Sequence, residues 1–317
     1  MVAKQKATVA VSEDAWPQIH AARRVVERIV ETGETVYGIN TGFGALVHER
    51  ISSDDLAQLQ VNLIRSHATA IGELMSIEAV RAMMVIRLNS LCKGHSGIHP
   101  DCIHQLVLYL NNGLHPAVPR IGSLGASGDL APLSHLALTL IGEGYVLVDG
   151  ERRPTADVLF ERGFVPIELT AKDGLSLING TSQMTAYATL AHQSLSNLLP
   201  LADVVLAMSM DARSCSLTPS RQEVHRARPH PGQGLVAERL RTLLSGSTIL
   251  EGHAECDRVQ DPYSFRCAPQ VHGAVYESYL RLGEMIRTEM NSATDNPLIF
   301  PEPDRPCLLY TSDAADD

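Results

Sequence analysis

A run of very small residues stands directly before an apolar segment and offers unusual backbone chemistry. Residues 122–133 read GSLGASGDLAPL, in which Ala126, Ser127 and Gly128 precede Asp129. A phosphate-binding loop would need a Lys after its last glycine, and a nucleophile elbow would need a glycine two residues after the serine; neither is present. The structural interpretation is a tight turn in which Asp129 caps the helix predicted directly after it.

The same three residues also support a covalent interpretation. If the Gly128 nitrogen attacks the Ala126 carbonyl carbon and Ser127 loses its hydroxyl, two waters leave and a five-membered ring with an exocyclic methylene forms. Small side chains permit this close approach of the backbone to itself. The product would be an electrophile that no ordinary side chain supplies, and a helix N-terminus behind it would draw electron density inward.

Five motifs, in this order along the chain, resemble the histidine/phenylalanine/tyrosine ammonia-lyase family. They are YGINTGFG (37–44), the Ala-Ser-Gly stretch (122–144), LSLING (175–180), VQDPYSFRCAPQ (259–270) and TDNPL (294–298). The resemblance covers residues from about 35 to 300. It implies that Ala126, Ser127 and Gly128 cyclise autocatalytically to 4-methylidene-imidazol-5-one. It also implies that no diffusible cofactor is needed.

The resemblance assigns roles to residues of the other motifs. An amine is a poor leaving group and a β-proton is hardly acidic, so the elimination needs an electrophile for the amine and a base for the proton. Tyr37 is the expected base, and Asn179 is expected to hydrogen-bond the ring or the amine. Arg266 is expected to bind the substrate carboxylate through its two-pronged guanidinium. Gln260, Tyr263 and Arg266 follow one another at intervals of three residues, and Gln260 and Tyr263 are expected around the ring.

The pair Ser66-His67 bears on the choice of substrate. In the family the corresponding pair helps to select the side chain, and Ser-His is similar to the histidine enzymes, whereas tyrosine enzymes tend to have His-Leu and phenylalanine enzymes Phe-Leu. The resemblance therefore implies elimination of ammonia from L-histidine to give trans-urocanate, in histidine catabolism (degradation to glutamate). The alternative within the family is a tyrosine ammonia-lyase or tyrosine 2,3-aminomutase. The non-enzyme alternative is an inactive helical assembly module.

Helical periodicity dominates the chain and predicts a mainly α fold. Helices are predicted at 54–70, 77–93, 101–112, 130–141, 180–211, 235–244 and 269–291, and Asp149-Gly150 predicts a hairpin at 145–154. The helix at 180–211 is apolar almost all round, which is typical of the middle of a bundle. We predict a mixed N-terminal region (1–180) carrying the prosthetic loop, the first part of a long antiparallel helical bundle (181–300) and a foreign or disordered tail (301–317). The resemblance makes this the histidine ammonia-lyase/fumarase-like fold.

Composition excludes several classes of partner. The 317 residues carry a net charge of −10, and no basic patch suits nucleic acid or an anionic membrane surface, so neither is expected as a partner. The apolar run at 198–210 contains an Asp and is predicted to be too short to span a bilayer. The six cysteines lack C-x-x-C spacing and are expected to be free thiols in a reducing compartment. The N-terminus lacks the apolar region of a signal peptide, so a cytoplasmic location is expected.

The resemblance also bears on the extent and assembly of the chain. Family members are considerably longer, so we expect a chain truncated near Phe300 that is inactive by itself. The complete protein is expected to be a homotetramer acting on a small amino-acid substrate. The thirteen histidines show no metal-site spacing, so no metal is expected.

Overall fold

A computed structural model describes residues 1–42, 51–52, 55–124, 128–253, 257–302 and 305–309, with the backbone alone for 302 and 305–309. Most of these residues lie in helices, and the predicted mainly α fold is confirmed. The chain divides into two units. The first comprises Met1–Tyr187 together with Thr288–Asp317, and the second comprises Ala188–Arg287. The predicted division at residues 180 and 181 stays a prediction; the division seen here falls within a helix.

The first unit is built from helices joined by short antiparallel strands. Its helices are α1 (Trp16–Thr32), α2 (Leu56–His67), α3 (Ile77–Leu91), α4 (Pro100–Asn111), α5 (Leu130–Leu140), α6 (Thr155–Arg162) and α7 (Asp173–Ile178). Its strands are β1 (Ile71–Leu74), β2 (His115–Pro116), β3 (Pro119–Ile121), β4 (Tyr145–Val148), β5 (Glu151–Pro154), β6 (Leu298–Glu302) and β7 (Arg305–Leu309). The strands pair as β1 with β3, β4 between β2 and β5, and β6 with β7. The strand β7 falls in the segment predicted to be a foreign or disordered tail.

Three helices of the first unit pack on one another beneath the motifs. Helices α2, α5 and α7 contact one another pairwise. The segment 172–180 contains α7, all of whose residues are buried. Close packing is possible because Gly174 has no side chain; a Cβ there would lie 2.7 Å from the Gln60 carbonyl oxygen. The predicted hairpin at β4 and β5 is confirmed.

The second unit holds the longer helices. They are α8 (Ser182–Ala212), which begins in the first unit, α9 (Gln222–Ala227), α10 (Pro231–Leu243), α11 (Thr248–Gly252), α12 (Tyr263–Arg266) and α13 (Ala268–Met290), which ends in the first. Helix α8 continues through Pro200, a residue type that commonly kinks or breaks a helix. Among the described residues it is the one helix long and apolar enough, by length and composition, to cross a membrane. The run at 198–210, predicted to be too short to span a bilayer, lies inside it.

A buried acid in the middle of α8 is held by two basic residues. Asp203 is 2% exposed, and its carboxylate accepts from Arg239 Nη1 at 3.0 Å and lies 2.8 Å from His272 Nδ1. These partners belong to α10 and α13, so α8 packs against both helices within the second unit. A buried carboxylate paired in this way is typical of a helix packed against protein.

Candidate active site

The described end of the Ala-Ser-Gly stretch has a backbone that only glycine suits. Ala126 and Ser127 lie outside the described residues, whereas Gly128 has a φ of +87° and forms a parallel bridge with Gly180. The Asp129 N–H donates to the Gly180 carbonyl oxygen at 2.7 Å. A Cβ on Gly128 would lie 2.7 Å from the Gly180 carbonyl carbon and 2.8 Å from its nitrogen. The left-handed φ and this contact both exclude a side chain at Gly128.

Asp129 caps a different helix from the one predicted. The carboxylate is fully buried and accepts from Ser123 Oγ at 2.5 Å, from the Gln183 N–H at 2.6 Å and from the Met184 N–H at 3.0 Å. The last two N–H groups belong to the first turn of α8 and have no acceptor within that helix. Asp129 makes no side-chain cap bond to α5. Burial raises the pKa of the Asp129 carboxyl above its ordinary value, and these hydrogen bonds limit the rise. The Ala-Ser-Gly stretch is thereby tied to the start of α8.

A buried charged cluster lies behind Gly180 and was missed by the sequence analysis. Arg87 on α3 is fully buried and donates to the Thr294 carbonyl oxygen at 2.7 Å and to the Ser176 carbonyl oxygen. Lys172, also fully buried, donates to Asp295 Oδ2 at 3.0 Å and to Ser176 Oγ at 3.1 Å. The sequence offered one signal for this cluster, a basic residue inside an otherwise buried stretch. A buried charge is stable only when it is paired.

The segment that carries Tyr37 packs on α7 and on the turn after Asp295. Tyr37 is half-buried, and the next residue, Gly38, has a φ of +74°. A Cβ on Gly38 would lie 2.8 Å from Leu175 Cδ2 and 2.8 Å from Pro297 Cδ. Asn179 directly follows α7, is 7% exposed and donates its N–H to the Leu175 carbonyl oxygen. Leu175 therefore contacts Gly38 through its side chain and Asn179 through its carbonyl oxygen. The residue after Asn179, Gly180, contacts Gly128.

His67 is the last residue of α2 and has a defined ring orientation. Its Nδ1 lies 2.8 Å from the Leu63 carbonyl oxygen and 3.0 Å from Ser66 Oγ. A carbonyl oxygen can only accept, so Nδ1 carries the proton, and the Nε2 of the neutral ring is an acceptor. Ser66 Oγ also donates to the Leu63 carbonyl oxygen, at 2.8 Å. The predicted Ser-His pair therefore acts as one hydrogen-bonded group.

The other three predicted site residues belong to the second unit. Gln260 precedes α12 and is exposed, and Tyr263 at the start of α12 is 70% exposed. Arg266 at its end lies with its guanidinium carbon 5.3 Å from the centre of the Tyr263 ring, and its Nε donates to the Asp261 carbonyl oxygen at 2.9 Å. Tyr263 and Arg266 thus lie on one short helix, and Gln260 lies before it.

A cavity of about 900 Å³ opens beside these residues within the second unit. Gln260, Asp261 and Arg266 line it, and Arg221, Arg241 and Arg258 add basic side chains. The lining suits an anionic group such as a carboxylate.

The described cysteines form no disulfide bonds, and the described side chains form no cluster that could bind a metal ion. Cys92, Cys102, Cys215 and Cys267 are free thiols, and burial raises the pKa of the Cys92 thiol to about 11. In the parts of the chain that the structure describes, no three His, Cys, Asp or Glu side chains group to hold a metal ion.

Comparison with known proteins identifies the class. The family model described as aromatic amino acid lyase matches residues 1–313. Two solved structures share the fold: histidine ammonia-lyase from Trypanosoma cruzi (TM-score 0.87, 42% identical, covering 98% of this chain and 58% of that one) and tyrosine aminomutase from Streptomyces globisporus (TM-score 0.85, 40% identical, covering 94% and 60%). The chain therefore belongs to the aromatic amino acid lyase family, and the resemblance found in its motifs is confirmed.

Curated relatives narrow the similarity further. The chain is 46% identical over 302 residues to histidine ammonia-lyase of Sorangium cellulosum, and 47% identical over 292 residues to histidine ammonia-lyase of Geobacillus thermodenitrificans. These alignments cover 94% and 92% of this chain but 59% and 58% of the relatives. The chain thus spans about three fifths of the length of the curated relatives that it matches.

Proposed function

We propose that the protein to which this chain belongs is a carbon–nitrogen lyase that removes ammonia from L-histidine and yields trans-urocanate. The observation that carries the proposal is the backbone of Gly128, which has a left-handed φ and a contact with Gly180 that excludes a side chain, within the family's Ala-Ser-Gly motif. The names of the relatives at 46–47% identity support histidine as the substrate.

The described residues fit the prosthetic group that this reaction requires. Gly128 lacks the Cβ that would obstruct closure, and Asp129 holds the following backbone against Gly180. The 4-methylidene-imidazol-5-one formed from Ala126, Ser127 and Gly128 would supply an electrophile that binds the substrate amine and makes it a leaving group.

The remaining roles fall to side chains of this sequence, supplied by more than one copy of the chain in the proposed homotetramer. Arg266 binds the substrate carboxylate, and Gln260 and Tyr263 border the ring. Asn179, at the end of α7 and directly before Gly180, hydrogen-bonds the ring or the amine. Tyr37 takes the β-proton: the C–H electron pair becomes the new C=C bond, and the C–N pair leaves with ammonia.

The substrate side chain is read by His67. Its Nδ1–H is committed to the Leu63 carbonyl oxygen, so Nε2 accepts a hydrogen bond from the substrate imidazole N–H. A tyrosine ammonia-lyase or tyrosine 2,3-aminomutase is the second candidate, and the similarity to the solved tyrosine aminomutase favours it. A phenol would have to occupy the same position.

The first experiment is the mass of the peptide spanning Pro119–His135. We expect it to be two waters lighter than its sequence. An unmodified peptide would contradict the proposed prosthetic group and would favour the inactive helical module.

The second experiment identifies the product. The complete protein to which this chain belongs is incubated separately with L-histidine and L-tyrosine, and the products are separated chromatographically. We expect urocanate from histidine, whereas coumarate or β-tyrosine as the main product would establish the second candidate. His67→Leu should reduce kcat/KM for histidine by roughly 10- to 100-fold, the usual effect of one lost hydrogen bond in a site of this kind. Ser66→Ala is the matched control, because Nδ1 keeps its bond to Leu63.

Location and assembly are part of the same proposal. We propose a cytoplasmic homotetramer without nucleic acid, membrane or metal partners. The acidic net charge and the exposed apolar residues of α8 support it.

A further inference from the structure

Arg87 joins two of the sequence motifs through one side chain. It lies on α3, far from both in sequence, and its guanidinium is fully buried. Nη1 donates to the carbonyl oxygen of Thr294, in TDNPL, and Nη2 donates to the carbonyl oxygen of Ser176, in LSLING. The planar fork holds two backbone segments at a set separation, which a single point charge would not do.

The same guanidinium packs directly against Gly180. A Cβ on Gly180 would overlap Arg87 Nη1 and would lie 2.6 Å from the Thr294 carbonyl oxygen. The Gly180 peptide in turn contacts Gly128, and its carbonyl oxygen accepts from the Asp129 N–H. Arg87, Gly180 and Gly128 therefore form three layers in direct contact, and no side chain fits between them.

The charge of Arg87 is balanced from both sides of these layers. Burial lowers the pKa of Arg87, while the negative charges of Asp295 and Asp129 raise it. An arginine retains its proton in proteins, so a full positive charge stands behind the Gly180 peptide. Asp295 is in turn paired with Lys172.

We propose that Arg87 is a positioning residue for closure of the prosthetic ring. It fixes the Gly180 peptide, and this peptide holds Gly128 in the left-handed conformation from which its nitrogen attacks the Ala126 carbonyl carbon. One N–C bond forms. The Ala126 carbonyl oxygen leaves as one water with the amide hydrogens of Gly128 and Ser127, and the Ser127 hydroxyl leaves with the α-hydrogen as the second, so no oxidant or reductant is required. The inference rests on the proposed function, because it concerns how the proposed group is made.

The experiment compares two buried arginines of one helix. Arg81 also lies on α3, is 2% exposed, and donates to the carbonyl oxygens of Val2 and Leu110, which lie outside the motifs. Wild type, Arg87→Met, Arg87→Lys and the control Arg81→Met are each made as the full chain in a cell-free translation reaction. The soluble, folded fraction is sampled over time, and the mass of the Pro119–His135 peptide and the free energy of unfolding are measured.

We expect wild type and Arg81→Met to lose two waters at similar rates. Arg87→Met should lose them at least tenfold more slowly, although both methionine variants are destabilised. Arg87→Lys keeps the charge and folds more readily, but lacks the planar fork, so its ring should also close more slowly than that of wild type.

Each remaining outcome overturns the inference. Equal rates for Arg87→Lys and wild type would show that the fork is not needed, and this variant decides the matter if Arg87→Met does not fold. Equal slowing in Arg87→Met and Arg81→Met would show a general effect of stability. Both results leave the proposed function intact as long as wild type is modified, whereas an unmodified wild type would remove the proposed function and this inference with it.

Discussion

At the scale of single residues, the partners of a side chain decide what chemistry it can do. His67 is oriented by the Leu63 carbonyl oxygen, and the Asp129 carboxylate is stabilised by two backbone N–H groups and by the positive charge of Arg87. Arg266 is fixed by its Nε bond to Asp261, which leaves its orientation set before a carboxylate arrives. Such prior orientation reduces the entropy lost on binding.

The proposed base gives the first prediction. Tyr37→Phe should lower kcat for ammonia release from histidine by roughly 10²- to 10⁴-fold, the usual contribution of a general base. The Pro119–His135 peptide should still be two waters lighter, since ring closure does not use the phenol. Steady-state kinetics and peptide mass check the two halves. A Tyr37→Phe variant with unchanged kcat would assign the proton transfer to another group.

A buried histidine gives a prediction for the pH dependence of stability. Burial, and then the charges of Arg81 and Arg162, lower the pKa of His115 to about 4. The unfolded chain binds this proton below about pH 6.5 and the folded chain only near pH 4. The free energy of unfolding should therefore fall as pH drops through this window, by about 3 kcal/mol at most.

Urea titrations between pH 7 and pH 4 measure this effect. His115→Gln should remove that part of the slope, and exposed His230→Gln should leave it unchanged. The same slope in both variants would locate the titration elsewhere.

At the scale of elements, the start of α8 is completed by a residue from another segment. Asp129 lies next to α5 in sequence, yet its carboxylate accepts two first-turn N–H groups of α8. A negative charge at a helix N-terminus is favourable, and burial removes the competing water. This bond joins the Ala-Ser-Gly stretch to α8, the longest of the described helices.

Asp129→Asn should lower the free energy of unfolding by about 1–3 kcal/mol, because the amide replaces one acceptor oxygen by a donor that faces backbone N–H groups. Asp101→Asn is the matched control: Asp101 is exposed in the first turn of α4 and should cost less than about 1 kcal/mol. Urea unfolding measures both variants. Equal losses would mean that the cap adds nothing beyond a surface charge.

At the scale of the whole molecule, helix α8 has a group of exposed apolar side chains. Leu198, Leu201, Val205 and Met208 are 55%, 54%, 54% and 67% exposed. Their spacing puts them close together on the helix surface. A contiguous apolar surface of this kind marks a contact with another protein surface, in agreement with the proposed homotetramer.

The double variant Leu201→Lys, Val205→Lys should weaken self-association of the chain at least tenfold, because burial of each aliphatic side chain contributes about 1.5–3 kcal/mol. Sedimentation equilibrium measures the dissociation constants. Val224→Lys, at an exposed apolar position on α9, is the control and should associate like wild type. A wild-type chain that stays monomeric at every concentration would contradict the proposed assembly surface.

Local patterns in the sequence were enough to predict seven of the helices, the hairpin at β4 and β5, and the family. Helix α1 and the shorter helices α6, α7, α9, α11 and α12 were not predicted. Helix positions follow from local periodicity and from Pro and Gly at the helix ends, so α3, α5 and α13 begin and end within two residues of their predicted bounds. The resemblance to the family assigned roles to the Ala-Ser-Gly stretch, Tyr37, His67, Asn179 and the Arg266 segment, and these roles stay predictions.

The groups that hold the Ala-Ser-Gly stretch come from distant parts of the sequence, so the folded structure was needed to identify them. Asp129 reaches Gln183 across 54 positions of sequence, and Arg87 reaches Thr294 across 207. Local sequence patterns do not reveal contacts between residues so far apart in the chain. Asp129 was therefore expected to cap α5, which directly follows it, and Arg87 had no predicted role. A buried charge is stable only beside its partners, and the fold alone brings those partners together.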